Sequence, residues 1–218
     1  MITVPQATKK VIERSRYLVE ALSKGLINYS SLARYIQPEV EKMLMKDVSE
    51  ASILMALKRF ESTLKQPKFK NIFTSPPDMT IHSNLSVLVI PNNSDLVEKR
   101  SEITKLTSQD SRYFLTITQG VTETMIILSN DLLPKAREIL GNAPIMEERT
   151  NLSTINIRIP KESIDTPGIV YFFIKSLAWS EINIIETVAI YTELTILLND
   201  KDVGKAFEIL KSLFTKQI

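Results

Sequence analysis

The first third of the chain carries apolar residues at the spacing of amphipathic helices. Four helices are predicted, over residues 8–23, 29–36, 38–45 and 49–64. The second and third are separated at Gln37-Pro38, because proline lacks the backbone donor that a helix interior needs. The short turns between these segments predict a compact helical domain over residues 1–66, followed by a linker over residues 67–79.

The pattern changes near residue 80, where apolar and polar residues begin to alternate as they do in strands. Residues 80–150 predict the order β-α-β-β-α-β and residues 151–218 predict β-α-β-β-α, a weak repeat with a spacing of about 70 residues. The last strand of the first copy is predicted near residues 145–149, and the first strand of the second near residues 155–159. Each copy predicts a ferredoxin-like antiparallel sheet with both helices on one face. Tandem copies either cover each other's open face or join their edges into a longer sheet.

Composition and charge narrow the possible partners. The chain has 218 residues and no Cys, which excludes disulfides and thiolate chemistry. Residues 1–75 carry 13 Lys/Arg against 7 Asp/Glu, and the remainder carries 14 against 18. This asymmetry suggests two parts with different partners, although such an excess is also ordinary for a helical domain. The chain start has no apolar signal-peptide core and no apolar stretch reaches ten residues, so we expect a cytoplasmic protein without a membrane partner.

The residues that enzymes and metal sites require are sparse. The single histidine, His82, lies in a strand-like region, where a structural role is more common than catalysis. The chain contains no phosphate-binding or dinucleotide-binding glycine motif, no G-x-S-x-G and no H-E-x-x-H. We therefore expect no catalytic residues, no cofactor and no metal. Glu186 is expected to face solvent from a strand, and Trp179 to be a packing or interface residue.

Three motifs near the end of the chain carry a resemblance to a known family. They are Ile164-Asp165-Thr166-Pro167-Gly168-Ile169 before a helix, Ile182-Asn183-Ile184 at the start of a strand, and the acidic entry Asn199-Asp200-Lys201-Asp202 to the last helix. Together they resemble an ACT domain, as found in the regulatory part of aspartokinases, over about residues 152–216. Residues 80–149 resemble a degenerate second copy, in which Asn93-Ser94-Asp95 replaces the Pro-Gly loop. The fold class implied is α+β, a helical unit followed by two ferredoxin-like ACT units over residues 80–150 and 151–218.

The resemblance implies a small ligand, an amino acid or a related metabolite, held between paired ACT units of a homo-oligomer. The ligand-binding residues that it implies are Asp165, Thr166, Pro167, Gly168, Ile169, Asn183 and Ile184. A glycine lets backbone N–H groups approach a ligand, and a helix N-terminus favours a carboxylate. The turn, helix and strand are expected to bring these groups to one place. The alternative is that Pro-Gly is only a turn and that Asn183 only begins a strand.

The helical domain resembles, more loosely, a helix-turn-helix or winged-helix unit. Residues 29–36 would be the first helix of the pair and residues 49–60 the recognition helix. The cations that could meet DNA phosphates are Lys58, Arg59, Lys65, Lys68 and Lys70. The resemblance does not extend to a kinase catalytic domain, so the chain is expected not to be an enzyme.

Two hypotheses follow. In the first, the chain is a non-catalytic allosteric regulator that senses an amino acid through its ACT units, with the helical domain binding DNA or a partner protein. In the second, the ACT units serve oligomerisation alone, or the chain is a stand-alone regulatory subunit of an amino-acid biosynthetic enzyme, without DNA binding. Clustering of the five cations on one exposed face would favour the first hypothesis.

Overall fold

The computed structural model describes residues 2–64, 73, 75–92, 96–107 and 112–214. The chain divides into two compact units, Met1–Lys68 and Phe69–Ile218. The first is helical, and the second contains a sheet with helices packed on it.

The helical unit has four described helices, but their bounds differ from the prediction. They are α1 (Val4–Glu13), α2 (Arg16–Ser23), α3 (Tyr29–Leu44) and α4 (Glu50–Glu61). The helix predicted over residues 8–23 is broken at Ser15, whose extended backbone (φ −117°) starts α2. The break turns the chain so that Val11 before it and Leu22 after it reach the same core.

The two helices predicted on either side of Gln37-Pro38 are one helix, α3, with Pro38 inside it. Leu32, Ile36 and Val40 follow one another at four-residue spacing, and all three are buried in the core of the unit. Their packing across the proline outweighs the lost backbone hydrogen bond, which is the usual way tertiary contacts override local preference.

The second unit is built on a six-stranded antiparallel sheet. Its elements in chain order are β1 (Met79–Pro91), α5 (Leu96–Lys105), β2 (Leu115–Gln119), β3 (Glu123–Ser129), α6 (Leu133–Leu140), β4 (Glu147–Arg158), α7 (Ile169–Trp179), β5 (Ile184–Ile190), β6 (Glu193–Asn199) and α8 (Asp200–Ser212). The strand order is β2-β3-β1-β4-β6-β5. We call β1, α5, β2, β3 and α6 the first half of the sheet unit, and β4, α7, β5, β6 and α8 the second half.

The long central strands β1 and β4 each serve both halves. β1 pairs with β4 along residues 79–89, and from Leu85 onward its other edge also pairs with β3. In the same way, β4 pairs with β1 along residues 147–157, and from Leu152 onward its other edge also pairs with β6. The strands predicted near residues 145–149 and 155–159 are therefore one strand, and the domain boundary predicted at residue 150 falls inside it. Local alternation predicted both segments as strands, but only pairing with β1 joins them.

The pairing with the second partner strand begins at the same tripeptide in both strands. Asn-Leu-Ser occurs at residues 84–86 and 151–153, and both asparagines adopt φ +58°, a left-handed conformation that asparagine tolerates better than most residues. Leu85 and Leu152 pair with each other at the centre of the sheet. The following serines bind the starts of the later helical segments: Ser86 donates to Asn130 Oδ1 (2.6 Å), and Ser153 donates to the Asp200 carboxylate.

Apolar cores lie on both faces of the sheet. On one face, Leu88, Ile126 and other residues of the first half pack with α5 and α6, and a matching cluster of the second half packs with α7 and α8. On the other face, the buried residues come from strands of both halves and none from a helix: Leu85, Val87, Ile127, Leu152 and Leu197. The two copies therefore both share a sheet and cover each other's open face, which requires the sheet to curl.

Candidate functional site

The loop before α7 is held in shape by its own hydrogen bonds. The Thr166 backbone donates to the Ser163 carbonyl (3.0 Å), and the Thr166 hydroxyl donates to the Glu162 carbonyl (3.1 Å). Gly168 then adopts φ +96°, a conformation that residues with a Cβ rarely take, and its carbonyl accepts the first helical hydrogen bond, from Phe172 (2.9 Å). The Pro-Gly pair thus sets the angle at which the chain enters α7.

No side chain caps the N-terminus of α7. The first N–H groups of a helix have no partner within the helix, so those of α7 are available to a carboxylate. Ile169 supplies only its backbone to this site, because its side chain is 4% exposed and packed in the core. Asp165 and Pro167 are exposed, and Thr166 is half-buried.

A Schellman turn positions the second motif at the other end of α7. The backbone N–H of Ile182 donates to the Leu177 carbonyl (3.0 Å), and that of Glu181 donates to the Ala178 carbonyl (3.1 Å). Glu181 adopts the left-handed φ of +57° that glycine usually supplies in this motif. The turn leaves Asn183 exposed and aims Ile184 into the core cluster of the second half.

The two parts of the predicted site are therefore not brought together within one chain. Residues 165–169 precede the N-terminus of α7, and Asn183 and Ile184 follow its C-terminus. Eleven residues at 1.5 Å each separate them by about 16 Å. Within one chain the turn and the strand start do not meet, because a straight helix holds its two ends apart, and the role of these residues in ligand binding stays a prediction.

The outward face of α7 is largely apolar and carries one cation, Lys175, whose ammonium lies over the ring of Tyr171 (5.2 Å). Phe172, Phe173 and Leu177 pack inward, whereas Tyr171 is 42% exposed and Trp179 is 83% exposed. Val170 is 40% exposed as well. The signal for this face is in the sequence, since Ile169–Trp179 is apolar almost all round, which a helix with one solvent face does not need.

Strand β5 beside α7 is an edge of the sheet. The carboxylate of Glu186 turns back and accepts a hydrogen bond from the Thr187 backbone N–H (2.8 Å). Glu186 is half-buried rather than simply solvent-facing, and it protects one backbone donor of the strand.

The degenerate copy has a different loop. Asn93, Ser94 and Asp95 lie outside the described residues. The preceding Asn92 ties the end of β1 to the β2–β3 turn, donating to the Gly120 and Val121 carbonyls (2.9 and 3.1 Å) and accepting from the Thr124 hydroxyl (2.6 Å).

The predicted nucleic-acid residues are only partly described. Lys58 and Arg59 are exposed in the last turn of α4, on the face opposite the buried Ile53 and Leu57. Lys58 also lies over the ring of Tyr29 (5.9 Å), whose hydroxyl donates to Glu61, and that hydrogen bond raises the pKa of Tyr29. The other three cations, Lys65, Lys68 and Lys70, lie outside the described residues.

The described residues give little support for a metal site, a catalytic histidine or a membrane span. They contain no group of three or more His, Asp or Glu side chains arranged to hold a metal ion. His82 lies in β1 with its ring 5.1 Å from that of Phe114. Among the helices described, none is long and apolar enough to cross a membrane.

Comparison with known proteins gives structural neighbours only. No protein-family model matches the chain, and no curated protein matches it. Aspartate kinase from Clostridium acetobutylicum aligns with 70% of the chain (TM-score 0.54, 16% identity), and the chain spans 37% of that enzyme's length. The ligand-free regulatory subunit of aspartate kinase from Thermus thermophilus aligns with 65% of the chain, and the alignment covers 99% of that subunit (TM-score 0.51, 13% identity).

Over about two thirds of the chain, the fold is similar to that of aspartate kinase regulatory subunits and domains. A third neighbour, E. coli aspartokinase III in complex with aspartate and ADP, aligns with 65% of the chain and 34% of its own length (TM-score 0.50, 16% identity). At such identities the similarity concerns the fold alone. It supports the ACT resemblance of the sheet and leaves the helix-turn-helix resemblance a prediction.

Proposed function

We propose that the chain is a non-catalytic regulatory protein that senses an amino acid or related metabolite through the second half of its ACT unit. The observation that carries this proposal is the arrangement around α7. An uncapped helix N-terminus behind a Pro-Gly loop offers donors to a ligand carboxylate, and the exposed Asn183 at the other end offers a donor and an acceptor.

The separation of these two parts implies a site made by two copies of the chain. A two-fold axis that runs beside the middle of α7, perpendicular to the helix, would pack this helix antiparallel against its counterpart in the second copy. The Gly168 loop of one copy would then lie beside Asn183 of the other, giving two equivalent sites in a dimer. The apolar outward face of α7, with Tyr171 and Trp179, and the neighbouring sheet edge β5 support this pairing.

The regulatory mechanism follows from a site shared in this way. A ligand that touches both copies binds the paired state more tightly than the separated or differently paired state, and it therefore shifts the population toward that state. The size of the shift is set by the difference between the two affinities, so a ligand that contacts only one copy would not regulate.

The direct test is a thermal-shift screen of the full chain against the twenty amino acids. Binding to the folded state raises the melting temperature by mass action. We expect a shift for one or a few amino acids, lost in Asp165→Ala, Gly168→Val and Asn183→Ala and kept in Asn142→Ala, an exposed asparagine elsewhere.

Mixing two inactive variants tests the shared site. In a mixed dimer of Asp165→Ala and Asn183→Ala chains, one of the two sites is assembled from an intact loop and an intact Asn183. We expect each mixed dimer to bind about one ligand where the unmodified dimer binds two, measured by calorimetry. No recovery in a mixture shown to contain mixed dimers would contradict the shared site. No thermal shift with any amino acid would favour the oligomerisation module instead.

A second candidate function, DNA binding by the helical unit, is favoured by one observation. Lys58 and Arg59 share an exposed face of α4, and neither forms an ion pair with any described residue. Replacing either by Ala should weaken duplex binding for all sequences alike and lower the slope of log affinity against log salt by about 1. Lys24→Ala is the matched control, because Lys24 is already paired with Glu20 (3.1 Å). Fluorescence anisotropy over a salt series measures both quantities, and equal slopes in all three variants would exclude this surface.

A further inference from the structure

A cavity of about 460 Å³ lies at the end of the second half of the sheet. Its walls come from three segments that run side by side: the chain entering β1, the end of β4, and the β5–β6 turn. Backbone hydrogen bonds join these segments, from Arg158 N–H to the Asp78 carbonyl (2.9 Å) and from Ile159 N–H to the Thr192 carbonyl (2.8 Å). Pro76, Pro77 and Pro160 stiffen two of the walls, because proline fixes its own backbone angle.

Three charged side chains line this cavity and form no ion pair with any described residue. They are Arg158, Lys161 and Asp78, and none has an oppositely charged partner within 4.0 Å among the described residues. Two other exposed arginines of the sheet unit are paired, Arg137 with Glu148 and Arg149 with Glu147, whereas the exposed Lys135 has no ion pair to a described residue. Two unpaired cations and one unpaired carboxylate around a single cavity offer a complete set of contacts to a charged small molecule.

The first half of the sheet unit has a different arrangement at the equivalent position. Asn92 there makes the same backbone contact to Thr122 (2.8 Å) that Ile159 makes to Thr192. The Asn92 side chain also fastens the β2–β3 turn through three hydrogen bonds. Ile159 has no polar side-chain atom to do so, and the charged cavity lies at its end of the sheet.

We propose that this cavity binds an acidic amino acid. Arg158 and Lys161 would hold the two carboxylates, Arg158 with the planar two-donor geometry that suits a carboxylate, and Asp78 would accept from the α-ammonium group. The ligand would carry one net negative charge and the three lining groups one net positive charge, so the match uses every charge in the cavity. None of residues 165–169, Asn183 or Ile184 lines it, so this site is separate from the one proposed above.

The position of the cavity suggests why a ligand there would matter. Residues 75–78 are the end of the segment that leads from the helical unit into β1, and they form one wall. A ligand held between Asp78 and Lys161 would bind this segment to the second half of the sheet. A bound metabolite would thus fix the start of β1 against the end of β4.

Calorimetric titration of the full chain with L-aspartate, L-glutamate and succinate tests the proposal. Arg158→Gln and Lys161→Gln should each weaken binding of the acidic amino acid roughly ten- to a hundredfold, the usual effect of removing a hydrogen bond to a charged group. Lys135→Gln, an exposed cation on α6 outside the cavity, should leave binding unchanged. Melting temperatures of the variants show whether each is folded.

Asp78→Asn separates an amino acid from a plain dicarboxylate. It should weaken aspartate or glutamate, which lose their ammonium partner, and strengthen succinate, which loses a repulsive neighbour. Asn183→Ala should leave binding in this cavity intact. The proposal is overturned if neither amino acid binds at millimolar concentration, if Arg158→Gln and Lys161→Gln leave binding unchanged, or if Asn183→Ala alone abolishes it. The last result would assign the acidic amino acid to the dimer site at α7. Loss of binding only in the cavity variants would show that the acidic amino acid does not bind at the α7 dimer site.

Discussion

The two halves of the sheet unit share a framework and differ at their surfaces. In each half, the long strand begins to pair with its second partner at Asn-Leu-Ser, and the serine of that tripeptide binds a later helical segment. Yet α5 is mostly charged or polar where α7 is apolar nearly all round. In this internal repeat, the positions that hold the sheet together have stayed alike, while the positions that meet other molecules have diverged.

The shared strands also bear on cooperativity. Because β1 and β4 contribute to both halves and the central apolar cluster contains side chains from both, neither half has a complete core alone. We therefore expect the sheet unit to unfold in one transition rather than as two ACT domains in succession.

The largest expected effect is at the centre of this shared core. Leu85 and Leu152 are each 1% exposed and pair directly across β1 and β4. Leu85→Ala and Leu152→Ala should each lower the free energy of unfolding by about 2–5 kcal/mol, by lost burial and an unfilled cavity. The loss of unfolding free energy in the double variant should differ from the sum of the two single losses, because the two side chains are neighbours. Urea unfolding measures all three, and a large effect at only one leucine would show that the halves are not equivalent.

A smaller effect is expected at the two serines, where the halves differ chemically. Ser153 donates to the carboxylate of Asp200, whereas Ser86 donates to the amide oxygen of Asn130. Removing a hydrogen bond to a charged group costs about 1.5–3 kcal/mol, and removing one to a neutral group about 0.5–1.5 kcal/mol. Ser153→Ala should therefore destabilise the protein more than Ser86→Ala in the same urea experiment. The reverse order would mean that solvent screens the Asp200 carboxylate.

The smallest expected effect compares two helix ends with nearly equal φ. Gly141 after α6 has φ +56°, and Glu181 after α7 has φ +57°. Glu181→Gly should raise the free energy of unfolding by about 0.5–1 kcal/mol, because glycine adopts this conformation without strain. Gly141→Ala should lower it by about 1 kcal/mol or more. Thermal unfolding of both variants measures these two effects. A loss of stability in Glu181→Gly would show that contacts of the Glu181 side chain stabilise the protein by more than its backbone strain destabilises it.

The candidate site shows how far sequence reasoning reached. The Pro-Gly loop, the helix after it and the strand start at Ile184 lie where local signals predicted them. Their placement at opposite ends of α7 follows from helix geometry alone, so a site that contains both needs a second copy of the chain, which stays a prediction. Arg158, Lys161 and Asp78 carry no motif, because Asp78 precedes Arg158 by 80 positions (158 − 78) and meets the other two only when β1 and β4 pair.

The sequence alone determined which segments are helical and which are extended in the sheet unit, since alternation and amphipathic spacing are local consequences of facing one core. It also determined where the loop before α7 turns, because only glycine readily adopts its backbone conformation at residue 168. Tertiary structure decided that β4 is one strand, that α3 continues through Pro38, and that one sheet carries both copies. Each of these depends on long-range packing that outweighs a local preference, and the pairing partner or buried neighbour responsible is far away in the chain.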